Sequence, residues 1–149
     1  MGNLKLTSSA FEDGSEIPRK YGYKNGNEVP PLAINGVPEG TEYLTLVMDD
    51  PDAMEPAGKV WVHWVIWNFT CFADGKPDFS RPTKQGMTDF GEVGYGGPAP
   101  PDKTHTYVFK LYALDTDLDL PDKSTKADVE KAMEGHIIEQ TQLTGTYAP

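Results

Sequence analysis

Three acids follow the apolar run at 43–48: Asp49, Asp50 and, beyond Pro51, Asp52. Two of the three histidines sit among large apolar residues, His63 in "VWVHWVIWNF" (60–69) and His105 in "HTYVFKLYALD" (105–115), where Tyr107 follows two residues later. Imidazole N–H groups and a phenol O–H can replace the water around a small anion without a mobile Lys or Arg. A carboxylate among them repels an anion, but it can hold a histidine in one tautomer and favour its charged form, or meet an ammonium group. Each residue also has an ordinary explanation. Asp beside Pro commonly hydrogen-bonds its own turn, and a single His on an apolar strand is usually a core residue with satisfied nitrogens. Two such histidines, the acidic corner, a Tyr on the face of His105 and the Gly/Pro loop "GYGGPAPPDKT" (94–104) together point to a ligand site.

Strands must position these groups. "YLTLVM" (43–48), 60–69 and 105–115 are rich in Val, Leu and aromatic residues, as buried pleated surfaces require. Alternation places His105 and Tyr107 on one face, with Thr106 and Lys110 on the other. In the second run it directs Trp61, His63, Val65, Trp67 and Phe69 one way and Val62, Trp64 and Ile66 the other, making that strand central. If the run at 43–48 pairs beside it, the acidic corner opens at a sheet end within reach of His63. Asp13-Gly14, Asn25-Gly26, Asn35-Gly36 and Asp74-Gly75 are spaced as turns between short apolar segments. One helix is expected within 124–143, with Thr125 and Asp128 as a capping box and Val129, Ala132, Met133 and Ile137 on one stripe. His136 falls inside that helix beside Gly135 and reads as a packing residue with a polar tip. The three Trp and Tyr112 read as core. The expected architecture is mostly β, an antiparallel β-sandwich with one late helix laid on it.

A chain of 149 residues, 38% of them hydrophobic, has the size of one compact domain, without repeat or linker. Its net charge of −10 repels polyphosphate backbones and argues against nucleic acid as a partner. No apolar window is long enough to span a bilayer and the start lacks a signal-peptide core, so the expected location is cytoplasmic. Leu6 stands where the myristoylation pattern needs Ser or Thr. The lone Cys71 cannot form an internal disulfide, and the sequon Asn68-Phe69-Thr70 lies in an apolar run.

With "DDPDAMEPAGKVWVHWVIWN" and "GYGGPAPPDKTHTYVFKLYALD", the chain resembles the phosphatidylethanolamine-binding protein family, in its small prokaryotic, Raf-kinase-inhibitor-like branch. The first stretch matches that family's DPDxP segment and Trp-x-His strand; the second matches its Gly/Pro loop leading into a Gly-x-His-Arg-Tyr strand. The segment from Ser8 to Leu44 is similar to the family's N-terminal third, and "VEKAMEGHIIEQTQLTGTY" to its C-terminal helix and last strand. The resemblance implies a β-sandwich whose small cavity binds phosphate, acetate-like anions or phosphoethanolamine head groups. By motif position the cavity would use Asp50, His63, His105 and Tyr107, with Pro51, Ala99 and Pro100 at its rim.

The chain departs from the family at Met54, where a proline is usual, and at Thr106, where an arginine is usual. Thr106 points away from His105, so the anion contacts should survive while an ion pair behind the strand is lost. The sequence has no Ser or Cys nucleophile with a paired base in a recognisable motif, no phosphate-binding Gly loop and no metal-ligand spacing. A non-catalytic binding protein without cofactor or metal is therefore expected, possessing a small anion or phospholipid head group as partner. The resemblance also admits inhibition of a serine protease or kinase through the loop at 94–104, and homodimers as in some small prokaryotic members. Two His and an Asp could alternatively serve a metal-dependent or acid–base phosphohydrolase.

Overall fold

The computed structural model describes residues 2–80 and 83–149. In chain order its elements are β1 (Lys5–Thr7), β2 (Ala33–Asn35), β3 (Tyr43–Asp50), α1 (Met54–Ala57), β4 (Trp61–Cys71), β5 (Pro77–Asp78), β6 (Lys84–Gln85), β7 (His105–Leu114), α2 (Lys126–Met133) and β8 (Ile137–Tyr147). Two 3-10 turns lie at Arg19–Tyr21 and Pro51–Ala53. The three apolar runs become β4, β3 and β7, side by side and antiparallel in a sheet ordered β5-β4-β3-β7-β8, with β6 also on β4. The ribbon β1–β2 and the N-terminal segment cover one face, and α2 covers the other, giving an unequal β-sandwich.

Strand period assigns the faces. Along β3, Leu44, Leu46 and Met48 enter the larger core with Leu6, Ile34 and Phe109, while Val47 joins Val129 and Met133 beneath α2. Each such side chain, fully buried, contributes about 1.5–3 kcal/mol. The same parity carries past the end of the apolar run, so the adjacent Asp49 and Asp50 leave the strand on opposite faces.

Strict alternation fails in β4. Met48 pairs with Trp64 and Asp49 with Val62, so His63 is the extra residue of a β-bulge; a second bulge falls at Asn68, with φ 60°, between the pairs Leu44–Phe69 and Thr45–Trp67. Trp64, Ile66 and Phe69 therefore share the larger core, and Val65 and Trp67 lie under α2, correcting the faces expected from simple alternation. The Asn68 amide is used structurally: it donates to the Leu118 carbonyl at 3.0 Å and accepts from the Leu118 N–H at 2.8 Å.

The expected helix over 124–143 is shorter. Its capping box is present, with the Asp128 N–H donating to the Thr125 hydroxyl at 3.2 Å and the Thr125 N–H to the Asp128 carboxylate at 3.0 Å. The helix stops at Met133 because Glu134 is extended and Gly135 takes φ 81°. Beyond it the pattern switches to period two, and Leu143, Gly145 and Tyr147 face inward from β8. Ile137 is accordingly exposed rather than on the helical stripe. His136 lies outside the helix in the connection to β8, about half-exposed, with Nδ1 2.8 Å from the Asp115 carboxylate.

Candidate functional site

A cavity of about 220 Å³ opens at the end of the sheet where β3 ends and β7 begins, on the face of the larger core. This is below the roughly 300–1,000 Å³ of drug-sized pockets and suits a small ion or head group. Its polar lining is Asp50, His63, His105 and Tyr107. Ala53, Pro56 and Ala57 form one wall, Ala99 and Pro101 another, and Trp61 and Phe90 a third. The Phe90 ring meets His63 edge-on at 5.2 Å, and His63 meets Tyr107 likewise at 5.1 Å.

The three acids after the apolar run have separate duties. Asp50 is buried and uses both oxygens, one accepting the Asp52 N–H at 2.9 Å and the other on His105 Nδ1 at 2.6 Å. Asp52 accepts the Thr106 N–H at 2.8 Å, tying the turn after β3 to the start of β7. Asp49, buried on the opposite face, pairs with Lys110 at 3.1 Å and Lys126 at 2.9 Å. The face behind β7 thus holds ion pairs through lysines, where the Thr106 departure suggested a loss. The acidic corner also serves His105 rather than His63.

His63 instead bonds main chain. Its Nδ1 lies 2.7 Å from the Gly96 carbonyl, and the Gly96 N–H returns 2.9 Å to the His63 carbonyl. Only glycine suits this loop: a Cβ on Gly97 would overlap the Tyr21 carbonyl oxygen, and one on Gly96 the Phe90 ring. Donation from Nδ1 leaves Nε2 of the neutral ring an acceptor. Burial pushes the His63 pKa below 6.5, outweighing the opposing pull of the Gly96 carbonyl and Asp50.

His105 is the opposite case. Its Nε2 lies 2.7 Å from an Asp102 oxygen, so carboxylates occupy both ring nitrogens, and accepting both bonds requires both to carry hydrogen. Burial opposes that charge, but the Asp50 and Asp102 hydrogen bonds outweigh it and lift the pKa above 6.5. Tyr107 is wholly buried, and its hydroxyl makes no hydrogen bond of ordinary geometry, although the Asp50 carboxylate and the Ala99 main chain lie close enough to act on it. Burial first, and Asp50 second, raise its pKa far above the usual phenol range. The cavity therefore presents one buried phenol, one imidazole whose Nε2 accepts while the ring is neutral, and a second imidazole engaged by carboxylates on both nitrogens.

Of the rim residues expected, Ala99 lines the cavity, while Pro51 is exposed at the start of its 3-10 turn and Pro100 lines a separate groove with Arg19, Lys24 and Tyr147. Met54 is exposed and the lining role on that wall falls to Pro56, so this departure leaves the cavity surface alone. Sequence reasoning missed Asp102 and Phe90. An acid three residues before His105 was a visible signal for the first; Phe90 lies in an aperiodic loop that offered none. The Lys103 ammonium, 2.9 Å from Glu55, ties the Asp102 loop to α1. Among the described residues, no group of three or more metal-binding side chains is assembled, and no helix is long and apolar enough to cross a membrane.

With this geometry in place, relatives can be compared. A UPF0098 protein of Methanothermobacter thermautotrophicus is 44% identical over 151 residues, covering 97% of this chain and 98% of that protein. The Chlamydia trachomatis phosphatidylethanolamine-binding protein homologue CT736 superposes with a TM-score of 0.86 at 38% identity, covering 97% of this chain and 96% of that one. Escherichia coli YbcL, described as a member of the mammalian PEBP family, gives 0.85 at 30% identity, covering 98% of each chain. The sequence profile of the phosphatidylethanolamine-binding protein family matches residues 7–148, and the chain belongs to that family.

Proposed function

We propose that the protein is a non-catalytic binding protein whose cavity takes a small oxyanion, free or as the phosphate of a phospholipid head group. The observation that carries this is the Tyr107 hydroxyl, buried at the cavity beside two imidazoles and making no hydrogen bond of ordinary geometry there, with Asp50 and the Ala99 main chain near it. A buried unsatisfied hydroxyl costs about 1–3 kcal/mol, and an oxyanion placed against it would remove that cost. Ring N–H groups add donors as His63 protonates. The apolar walls exclude water and strengthen each such bond.

Support for a binding rather than a catalytic role comes from the lining itself. Tyr107 supplies its one hydroxyl, and no thiol or amine is among the lining residues described. His105, the more basic imidazole, is engaged on both nitrogens and has none free to take a proton.

Calorimetric titration with inorganic phosphate, acetate and phosphoethanolamine tests this. Anion binding draws on protonated His63, so affinity should rise as pH falls below 6.5, the direction set by that residue's depressed pKa. Tyr107→Phe should weaken phosphate binding about tenfold while leaving the fold intact or slightly more stable. Unchanged affinity in both Tyr107→Phe and His63→Ala would remove the cavity from consideration.

A further inference from the structure

We propose that Asp102 is a resident carboxylate that an anion must displace from His105, and that it thereby lowers affinity for bare oxyanions and favours head groups that also carry a cation. This rests on the anion-cavity reading above.

His105 is 1% exposed and its Nδ1 is committed to Asp50, so Nε2 is the one donor that it could offer a guest. Asp102 Oδ1 holds that donor at 2.7 Å. Chemically, the side chain is a tethered acetate on the group that an acetate-like ligand would use. It sits next to Pro101, a cavity-wall residue, and its side chain is 36% exposed, so it can turn into solvent without leaving a buried charge behind. Asp50 can make no such move, being buried and bonded through both oxygens.

Charge gives the selectivity. One imidazolium stands against two carboxylates, with Asp52 close by and His63 and Tyr107 neutral, so the site is net negative before any guest arrives. Phosphate must overcome that charge as well as break the Asp102 bond. After displacement Asp102 remains at the rim, held three residues from His105, where an ammonium group can pair with it. Phosphoethanolamine recovers there part of what phosphate loses.

The experiment titrates inorganic phosphate, acetate and phosphoethanolamine into the parent, Asp102→Ala and Asp102→Glu, and follows the His105 ring by NMR across pH. In Asp102→Ala, phosphate and acetate should bind about fivefold tighter, the scale of one partly exposed ion pair. Phosphoethanolamine should gain less, narrowing its preference over phosphate. The His105 pKa should fall, and Asp102→Glu should restore the parent pattern. Phosphate binding that is unchanged or weaker in Asp102→Ala, or equal gains for all three ligands, overturns the proposal while leaving the cavity reading intact. Absence of binding to parent and Asp102→Ala alike overturns both.

Discussion

Replacing Asp50 by Asn tests the joint between the sheet and the cavity. The carboxylate accepts the Asp52 N–H at 2.9 Å and holds His105 at 2.6 Å. Asn keeps the shape but has a single acceptor oxygen, so the bond to a charged His105 must go or be reversed, with the amide donating to a deprotonated Nδ1, and the negative charge is lost either way. Removing one member of a buried ion pair commonly costs about 3–5 kcal/mol. His105 can escape part of that by releasing its proton, and Asp102 remains on Nε2, so the expected loss is about 2–3 kcal/mol. The loss should depend on pH. His105 has its pKa raised by folding, so its contribution is fully present below 6.5 and disappears as pH rises through the folded-state value. Urea unfolding should thus show a larger difference between parent and Asp50→Asn at about pH 6 than at alkaline pH above the folded-state pKa followed by His105 NMR, where the parent has surrendered the same charge. A difference of equal size at both pH values would refute the imidazolium assignment. A difference near zero would refute the structural role of the carboxylate altogether.

The two buried-face histidines should make stability peak near neutral pH. His63, with a depressed pKa, contributes stability above 6.5 that is lost as pH falls through its folded value, whereas His105 contributes below 6.5 and is lost on the alkaline side. Urea midpoints measured across pH should show His63→Phe flattening the acid limb alone; an effect on the alkaline limb instead would reverse the assignment. On the other face, Lys110 and Lys126 share Asp49. Either Lys→Met change should cost only about 1 kcal/mol because the other lysine keeps the carboxylate paired, while the double change should cost about 3–5 kcal/mol. Strict additivity in a double-mutant cycle would show that the two lysines act independently.

The strands at the middle of the sheet were legible because buried strands demand Val, Leu and aromatic runs, and β3, β4 and β7 carry them. Period two also gave the shared face of His105 and Tyr107, since that end of β7 pairs with β8 in unbroken register, His105 with Tyr147 and Tyr107 with Gly145. The face of His63 was not legible, because the bulge depends on the distant loop whose Asp89 N–H and Gly96 N–H bond the Val62 and His63 carbonyls. The end of α2 was obscured for a local reason. Apolar residues at 129, 133 and 137 fit a helical stripe, yet the backbone turns at Gly135, and Ile137 opens a strand that takes the last seven residues of the expected helix. Pro51 and Pro100 were adjacent in sequence to lining residues, but a rigid turn aims neighbours in different directions.

Asp49 and Asp50 show how a sheet can build a polar cavity beside an apolar core. Two consecutive carboxylates at a strand end cannot serve the same site, since the pleat sends them to opposite faces. On one face Asp49 is met by two lysines, which binds α2 to the sheet through its first turn; on the other Asp50 charges His105. The second ring nitrogen meets another carboxylate, Asp102, from the loop before β7, where its side chain is 36% exposed. The two acids on one ring thus differ in burial: Asp50 holds Nδ1 from inside the sheet, and Asp102 holds Nε2 from the partly exposed rim.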